Sequence, residues 1–311
     1  MLAYVLNKIE RVQVKNDYER AAVPVTRKKR VRVFPIVLLI LVLAIGALFF
    51  DSNSRIVTNE YQLYFENLPD GFDGFRIVVL ADIHAAVFGE NNERLVTKVA
   101  EAEPSIIAIA GDFIDSYGSL SLEQQLEVAE ALIVSLSPIA PIYYVTGNHE
   151  WEGGGIRPLL DMLSERGVNV LRNRFVRLYS GGDSIVLAGT DDPNGPADMI
   201  RPDELVSRIR NAEDDSFIVM LEHRNNNLTL YSGLGVDLVL SGHSHGGYIR
   251  LPFLGGVFGQ QRDLFPPYTA GEFSRGDTTM LVSRGIGSHI GIPRFLNNPQ
   301  VLVAVLRSVN N

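Results

Sequence analysis

Seventeen consecutive residues, FPIVLLILVLAIGALFF from Phe34 to Phe50, carry no charge, and Val31 and Val33 extend the run at its front. At about 1.5 Å rise per residue, such a helix just crosses a hydrocarbon core of about 30 Å. A core helix of a soluble domain keeps a polar stripe toward water, and this segment has none. The run therefore reads as a membrane-spanning helix. A cleaved signal peptide is the closer competitor, with Ala44 and Gly46 as a loose small-x-small site, but a charged lead-in of about thirty residues is unusual for one.

The residues before the run set an orientation. TRKKRVR, Thr26 to Arg32, packs five basic residues against the start of the helix. The positive-inside rule keeps that end cytoplasmic and puts everything after Phe50 across the membrane. A basic patch resting on anionic lipid would favour the same side. The expected organisation is a cytoplasmic basic tail over 1–32, an uncleaved signal-anchor helix over 33–50, a linker DSNSRIVTNE over 51–60, and one folded domain over 61–311. The expected location is the cell membrane, single-pass, with that domain extracytoplasmic.

Charge and cysteine usage exclude several classes. Residues 1–50 hold nine Lys/Arg and three Asp/Glu, while the remainder holds 19 basic and 33 acidic residues. An acidic body argues against general nucleic-acid binding, which needs a basic footprint. The chain has no cysteine, so disulfides, thiolate zinc sites and cysteine nucleophiles are ruled out.

Beyond the linker, short apolar runs alternate with helical patterns. FRIVVLADIH (75–84), SIIAIAGD (105–112) and PIYYVTGNHE (141–150) read as buried strands, separated by helices over 92–104 and 122–136 and followed by one over 156–167. DSIVLAGT, FIVMLEH and DLVLSGHSH continue the strands, and TTMLVSRG and VLVAVLRS add late ones. A βαβαβ start with a more β-rich second half predicts an α/β fold of two sheets packed face to face, with helices outside.

Almost every one of these strands ends in the same kind of residue. The first ends at Asp82 and His84, the second at Asp112, and the third at Asn148, His149 and Glu150. Later strands end at His223 and at His243 with His245, so five of the six histidines stand at strand ends. In open α/β sheets ligands gather outside the carboxyl ends of strands. Singly, each residue admits a plain reading as a cap or a turn; their convergence does not. Carboxylates, an amide oxygen and imidazoles without thiolate suit divalent Mn, Fe or Zn. Seven ligands drawn from these side chains exceed what one ion with an open position takes, and suit two ions about 3.5–4 Å apart sharing a carboxylate.

At this point the chain resembles the calcineurin-like metallophosphoesterases, whose pattern runs D-x-H, G-D, G-N-H-[DE], a lone H, then G-H-x-H. Here ADIHA, GDFID, GNHE, LEHR and GHSHGG follow in that order, covering Asp82 to Gly247. The N-terminal anchor and the tail SRGIGSHIGIPRFLNNPQVLVAVL resemble the membrane-anchored bacterial branch. The resemblance implies a two-sheet αββα sandwich and two divalent metal ions. It implies that Asp82, His84 and His245 hold the first ion, that Asp112 bridges, and that Asn148, His223 and His243 hold the second. A hydroxide between the ions would then attack phosphorus, with His149 assisting the leaving group and Asp115 orienting His149. One departure is informative: where the protein-phosphatase branch carries a phosphate-gripping arginine after G-D-x-x-D, this chain has Ser116. That favours a phosphodiesterase, or an esterase of lipids or nucleotides, over a phosphoprotein monoesterase.

The expected function is a metal-dependent phosphoesterase at the membrane surface, acting on a phospholipid, an envelope phosphodiester or a nucleotide. Two alternatives stand beside it: a pyrophosphate hydrolase of a nucleotide-linked lipid precursor, and a non-catalytic membrane-anchored binding protein. The chain has no H-E-x-x-H, which argues against a metallopeptidase. Trp151 admits two readings, pocket wall or core. RLPFLGGVFG (250–259) is either an apolar lip that meets lipid or a loop over the core. His289 reads as structural, and GTDDPN near Asp191 as a turn without chemistry.

Overall fold

The computed structural model describes residues 33–196, 199–213, 215–260, 262–288 and 293–309. The expected tail over 1–32 and His289 lie outside them. The chain divides after Leu43, and Ala44 opens the compact unit that holds both sheets. Helix α1, Val33–Ser54, is exposed along all of Val33–Phe50. Among the described residues it is the one helix long and apolar enough to cross a membrane.

After α1 the chain runs β1 (Val57–Phe65), β2 (Arg76–Leu80), α2 (Glu93–Glu101), β3 (Ile106–Ala110), α3 (Leu122–Leu136) and β4 (Ile142–Val145). It continues with α4 (Asn148–Glu152), α5 (Ile156–Glu165), β5 (Asn169–Val170), β6 (Arg174–Ser180), β7 (Asp183–Gly189), α6 (Pro202–Ala212) and β8 (Ile218–Leu221). Then come α7 (Leu228–Leu234), β9 (Leu238–Ser241), β10 (Arg250–Leu251), β11 (Gly255–Gly256), β12 (Gly271–Arg275), β13 (Thr278–Val282) and β14 (Gln300–Ser308).

Two six-stranded sheets result, in the orders β1-β14-β2-β3-β4-β5 and β12-β13-β9-β8-β7-β6. Strand period decides what each residue faces, because successive side chains point to opposite sides. Ile77 and Val79 of β2 join Ala108, Leu187, Val219 and Leu240 in the core between the sheets. Val78 and Leu80 face the other way, into a layer with Leu95, Leu132, Ile133 and Leu159 of the helices. On the far side Leu205, Ile209 and Tyr231 of α6 and α7 cover Ile218, Met220 and Val239. The four-layer α/β sandwich expected from the sequence is the fold observed.

Strand position follows from pattern. β14 reads QVLVAVLRS and is buried on both faces over Gln300–Leu306, so it lies inside the sheet although it comes last in the chain. β1 reads VTNEYQLYF, buries only Leu63 and Phe65, and takes the edge. This corrects the expected linker over 51–60. Asp51–Ser54 finish α1, and Val57 opens β1, parallel to β14 with Val57 opposite Gln300. Polar residues alternating with apolar ones resemble a linker in composition, yet they are what a half-solvated edge strand requires.

Candidate metal centre

Four strands of the two sheets aim their chemistry the same way. Asp82 stands two residues beyond β2, Asp112 two beyond β3, His223 two beyond β8 and His243 two beyond β9. The third motif enters differently from the sequence expectation. β4 stops at Val145, and Asn148 and His149 open the short helix α4 rather than extending the strand.

The turns are strained in one place. Asp82, His84, Asp112, His243 and His245 all adopt left-handed backbone, with φ between 47° and 66°. Such conformations cost a non-glycine residue about 1–3 kcal/mol each and persist where the surroundings enforce them. Gly285, at φ 73°, is needed opposite: a Cβ there would lie 2.7 Å from Asp82 Cβ.

The side chains so aimed converge on Asp112. Its Oδ2 lies 3.1 Å from His223 Nε2, 3.8 Å from His84 Nε2 and 3.9 Å from His149 Nε2. On one side His84 and His245 bring their Nε2 atoms to 3.1 Å, with Asp82 Oδ1 at 3.6 Å from His245 Nε2. On the other, His223 Nε2 lies 3.1 Å from both Asn148 Oδ1 and His243 Nδ1. Three groups able to hold a metal emerge among the described residues, Asp82–His84–Asp112–His245, Asp112–His223–His243 and His84–Asp115–His149, and Asp112 belongs to the first two. His243 and His245 therefore leave one glycine turn toward different groups. All seven residues singled out in the sequence as ligands are brought together.

A divalent cation fits this donor set on electrostatic grounds. Burial pushes Asp82 up to about 7, with Asp112 adding repulsion. Burial likewise pushes Glu150 up to about 7, again with Asp112 adding to it. These carboxyls cannot all ionise together without added positive charge. Burial opposes charge on Asp112 too, but the adjoining His223, His84 and His149 outweigh it and hold its carboxyl well below the usual range. Burial, and then His84, hold His245 neutral, while burial and His223 do the same for His243; neutral imidazoles offer lone pairs to a metal. His223 Nδ1 lies 2.8 Å from Ala110 O; a carbonyl only accepts, so Nδ1 keeps a proton and Nε2 faces Asp112, and although burial opposes charge on this ring, Asp112 outweighs it and raises the His223 pKa to about 10.

His149 forms a separate pair. Its Nδ1 is 3.1 Å from Asp115 Oδ1 and equally far from the Ser116 backbone N. The Ser116 N–H donates to Nδ1 when that nitrogen is bare, and when the ring is charged Nδ1–H donates to the Asp115 carboxylate instead; in both cases Nε2 faces Asp112. Burial opposes charge on this imidazole, but the Asp115 bond and the Asp112 and Glu150 carboxylates outweigh it and raise its pKa. Ser116 turns its hydroxyl back, donating to His149 O at 2.7 Å.

Two structural supports beside the site escaped the sequence reading. Glu150 accepts from the backbone N–H groups of Gly147 at 2.7 Å, Phe113 at 2.6 Å and Asp112 at 3.2 Å, so it ties the Asp112 and Asn148 loops together. Its signal was its place directly after the histidine of GNH. The GTDDPN segment is the second. Asp191 and Asp192 are buried, Thr146 Oγ1 donates to Asp191 Oδ1 at 2.9 Å, and Arg224 beside His223 makes a two-toothed pair with Asp192 at 2.7 and 3.0 Å. These acids follow β7 by the same strand-end rule as the ligands. Trp151 belongs to this network, its Nε1 donating to Thr146 Oγ1 at 3.1 Å with Arg172 over its ring at 5.2 Å.

A family model for calcineurin-like phosphoesterases matches residues 75–247. The chain belongs to that family. Among similar proteins, an uncharacterized metallophosphoesterase of Bacillus subtilis (strain 168) is 29% identical over 262 residues, covering 82% of this chain and 87% of its own. A Danio rerio transmembrane protein with metallophosphoesterase domain is 28% identical, covering 80% of this chain and 56% of its own. Among solved structures, a dimetal phosphatase from Danio rerio has a TM-score of 0.43 at 11% identity, covering 68% of this chain and 88% of that one. As a calcineurin-like phosphoesterase the chain is a metal-dependent phosphoric ester hydrolase, and its Asp/His groups are able to hold the metal.

Proposed function

We propose that this calcineurin-like phosphoesterase is a two-metal phosphodiesterase held at the outer face of a membrane, acting on a phospholipid, an envelope phosphodiester or a nucleotide. The observation that carries it is Asp112 Oδ2 lying among the Nε2 atoms of three histidines at 3.1, 3.8 and 3.9 Å. Asp112, so placed, would be shared by two ions, one of which Asp82, His84 and His245 would hold and the other Asn148, His223 and His243. Bound divalent ions supply Lewis-acid polarisation of a phosphoryl oxygen and a nucleophile usable near neutral pH.

The remaining steps fall to the chain. His149, protonated and held through Nδ1 by Asp115, presents its Nε2 proton toward Asp112, where a leaving oxygen takes it. Preference for a diester is supported by what stands near the centre. A monoester dianion calls for a cationic grip, but Ser116 is turned to His149 O and Arg224 is engaged by Asp192. Membrane placement is supported by α1 and by the basic TRKKRVR before it.

The test uses the full chain in detergent, metal-stripped and reloaded with Mn, Zn or Fe, on bis-(p-nitrophenyl) phosphate and p-nitrophenyl phosphate. Metal-dependent cleavage favouring the diester, lost in Asp112→Ala and lowered about 10²–10⁴-fold in His149→Ala, is the expected result. A chain that binds fewer than two ions, or that favours the monoester, overturns the proposal.

A further inference from the structure

The RLPFLGGVFG segment does not cover the core. β10 and β11 pair antiparallel, Arg250 with Gly256 and Leu251 with Gly255, and form a hairpin with Pro252, Phe253 and Leu254 at its tip. Phe253 is fully exposed and Leu254 is 63% exposed. A second turn follows, in which Leu264 and Phe265 are 64% and 53% exposed. Both turns hang from one strip of backbone: Val257 N donates to Ile249 O, and Phe265 N donates to Val257 O. Phe253 and Phe265 also hold left-handed backbone, at φ 67° and 52°. Single exposed apolar side chains are ordinary, but four large ones on two joined turns, two of them strained, form a patch that water does not favour.

What lies beside the patch identifies its occupant. Residues 294–298 hold the end of α1: Asn53 Nδ2 donates to Arg294 O at 2.8 Å, Leu296 N to Ser52 Oγ at 2.8 Å, and Asn298 Nδ2 to Asp51 O at 2.8 Å. The same segment holds the base of the lip, since Arg250 N donates to Phe295 O at 3.0 Å and Phe295 N to Tyr248 O at 3.2 Å. The patch thus grows from the piece of backbone at which the long apolar helix enters the domain. At its inner end Gln260 Nε2 donates to His243 O at 2.7 Å, and a cavity of about 270 Å³ lies between His243, Arg224, Gln260, Pro266 and Tyr268.

We infer that the lip formed by Leu251–Leu254 and Leu264–Phe265 enters the interfacial layer of the bilayer that holds α1, as a second contact that sets the mouth of the metal cleft against the membrane surface. A second apolar contact at the surface would bring the cavity beside His243 to a lipid headgroup. Aromatic and leucine side chains at an interface bind in proportion to the apolar area they bury. The inference rests on the reading of Val33–Phe50 as a membrane span and requires no turnover.

The absence of native cysteine makes the test direct. Full chains carrying Phe253→Cys or Leu264→Cys receive an environment-sensitive nitrobenzoxadiazole label and are reconstituted in phosphatidylcholine–phosphatidylglycerol vesicles. Leu41→Cys, inside the apolar helix, reports membrane insertion. Tyr179→Cys reports water; Tyr179 is 71% exposed and pairs with Ser184 at the start of β7, the end of the sheet remote from the metal centre. Blue-shifted emission at 253 and 264 with loss of signal to doxyl-labelled lipid, and neither at 179, is the expected result. Quenching at 41 with water-like emission at 253 and 264 overturns the lip while leaving the anchor. No quenching at 41 overturns both. A blue shift at 253 that follows protein density and ignores doxyl lipid identifies a second copy of the chain as the occupant, and also overturns the inference.

Discussion

In the proposed reaction, the contact between His149 and Asp115 bears on the pH range. The carboxylate beside Nδ1 favours the imidazolium, and the His149 pKa is raised although burial works against it. Removing that charge therefore lowers the pKa, and a general acid is lost as pH rises through its pKa. Asp115→Asn keeps the shape and is expected to move the alkaline limb of kcat for diester cleavage to lower pH. The pH–rate profile of the variant beside the parent checks this; an unmoved limb would show that Asp115 does not act through His149. Glu150 illustrates a different kind of residue. It aims no atom at the centre, yet three backbone N–H groups of two ligand-bearing loops depend on its carboxylate. Sequence spacing singled out the candidate ligands because most of them follow a strand end. Glu150 was harder to assign, because an acid at the start of a helix is most often only a cap.

At the scale of elements, the junction between α1 and β1 is built rather than slack. Ser52 is buried, and Ser52, Asn53 and Asp51 each engage the segment before β14. A chain beginning at Ser54 loses these partners, whereas one beginning at Ala44 keeps them. Each lost hydrogen bond to a buried group costs about 1–3 kcal/mol, and each kcal/mol lowers Tm by about 2–4 °C in a domain of this size. The shorter chain is therefore expected to melt several degrees below the longer one in a thermal scan. Equal melting temperatures would reduce the junction to a linker after all. The edge strands β1, β6 and β12 were the elements least visible in the sequence. Each mixes polar with apolar residues and buries few of them, a composition shared with ordinary surface loops, and only pairing to a neighbour distinguishes the two.

For the whole molecule, the metal centre is a store of buried charge that the fold alone does not balance. Asp82 has its pKa raised from 3.8 to about 7, chiefly by burial. A carboxyl whose folded pKa lies above its unfolded value keeps its proton longer in the native state, so its ionisation removes stability as pH rises through that interval. Metal-stripped protein is expected to lose stability between about pH 4 and 7. The slope should be shallower in Asp82→Asn, and reloading metal should abolish the difference. Thermal unfolding across that range with and without chelator measures it; identical slopes in parent and variant would contradict the assignment.

The sequence by itself determined which side chains meet at the candidate site and how the chain is layered. Apolar runs of strand length ending in aspartate and histidine are local patterns, and strand ends in an α/β sheet share one side. The uncharged run of Phe34–Phe50 likewise needs no partner to be read. Only the tertiary structure decided what depends on distance between remote segments. It made Asp112 the shared carboxylate and sent His243 and His245 to different groups. It engaged Arg224 with Asp192, and it joined the lip and the end of α1 through one stretch of backbone. The physical reason is that hydrophobic periodicity specifies which face a residue takes, whereas charge balance and hydrogen-bond satisfaction are set only when distant chains meet in a buried place.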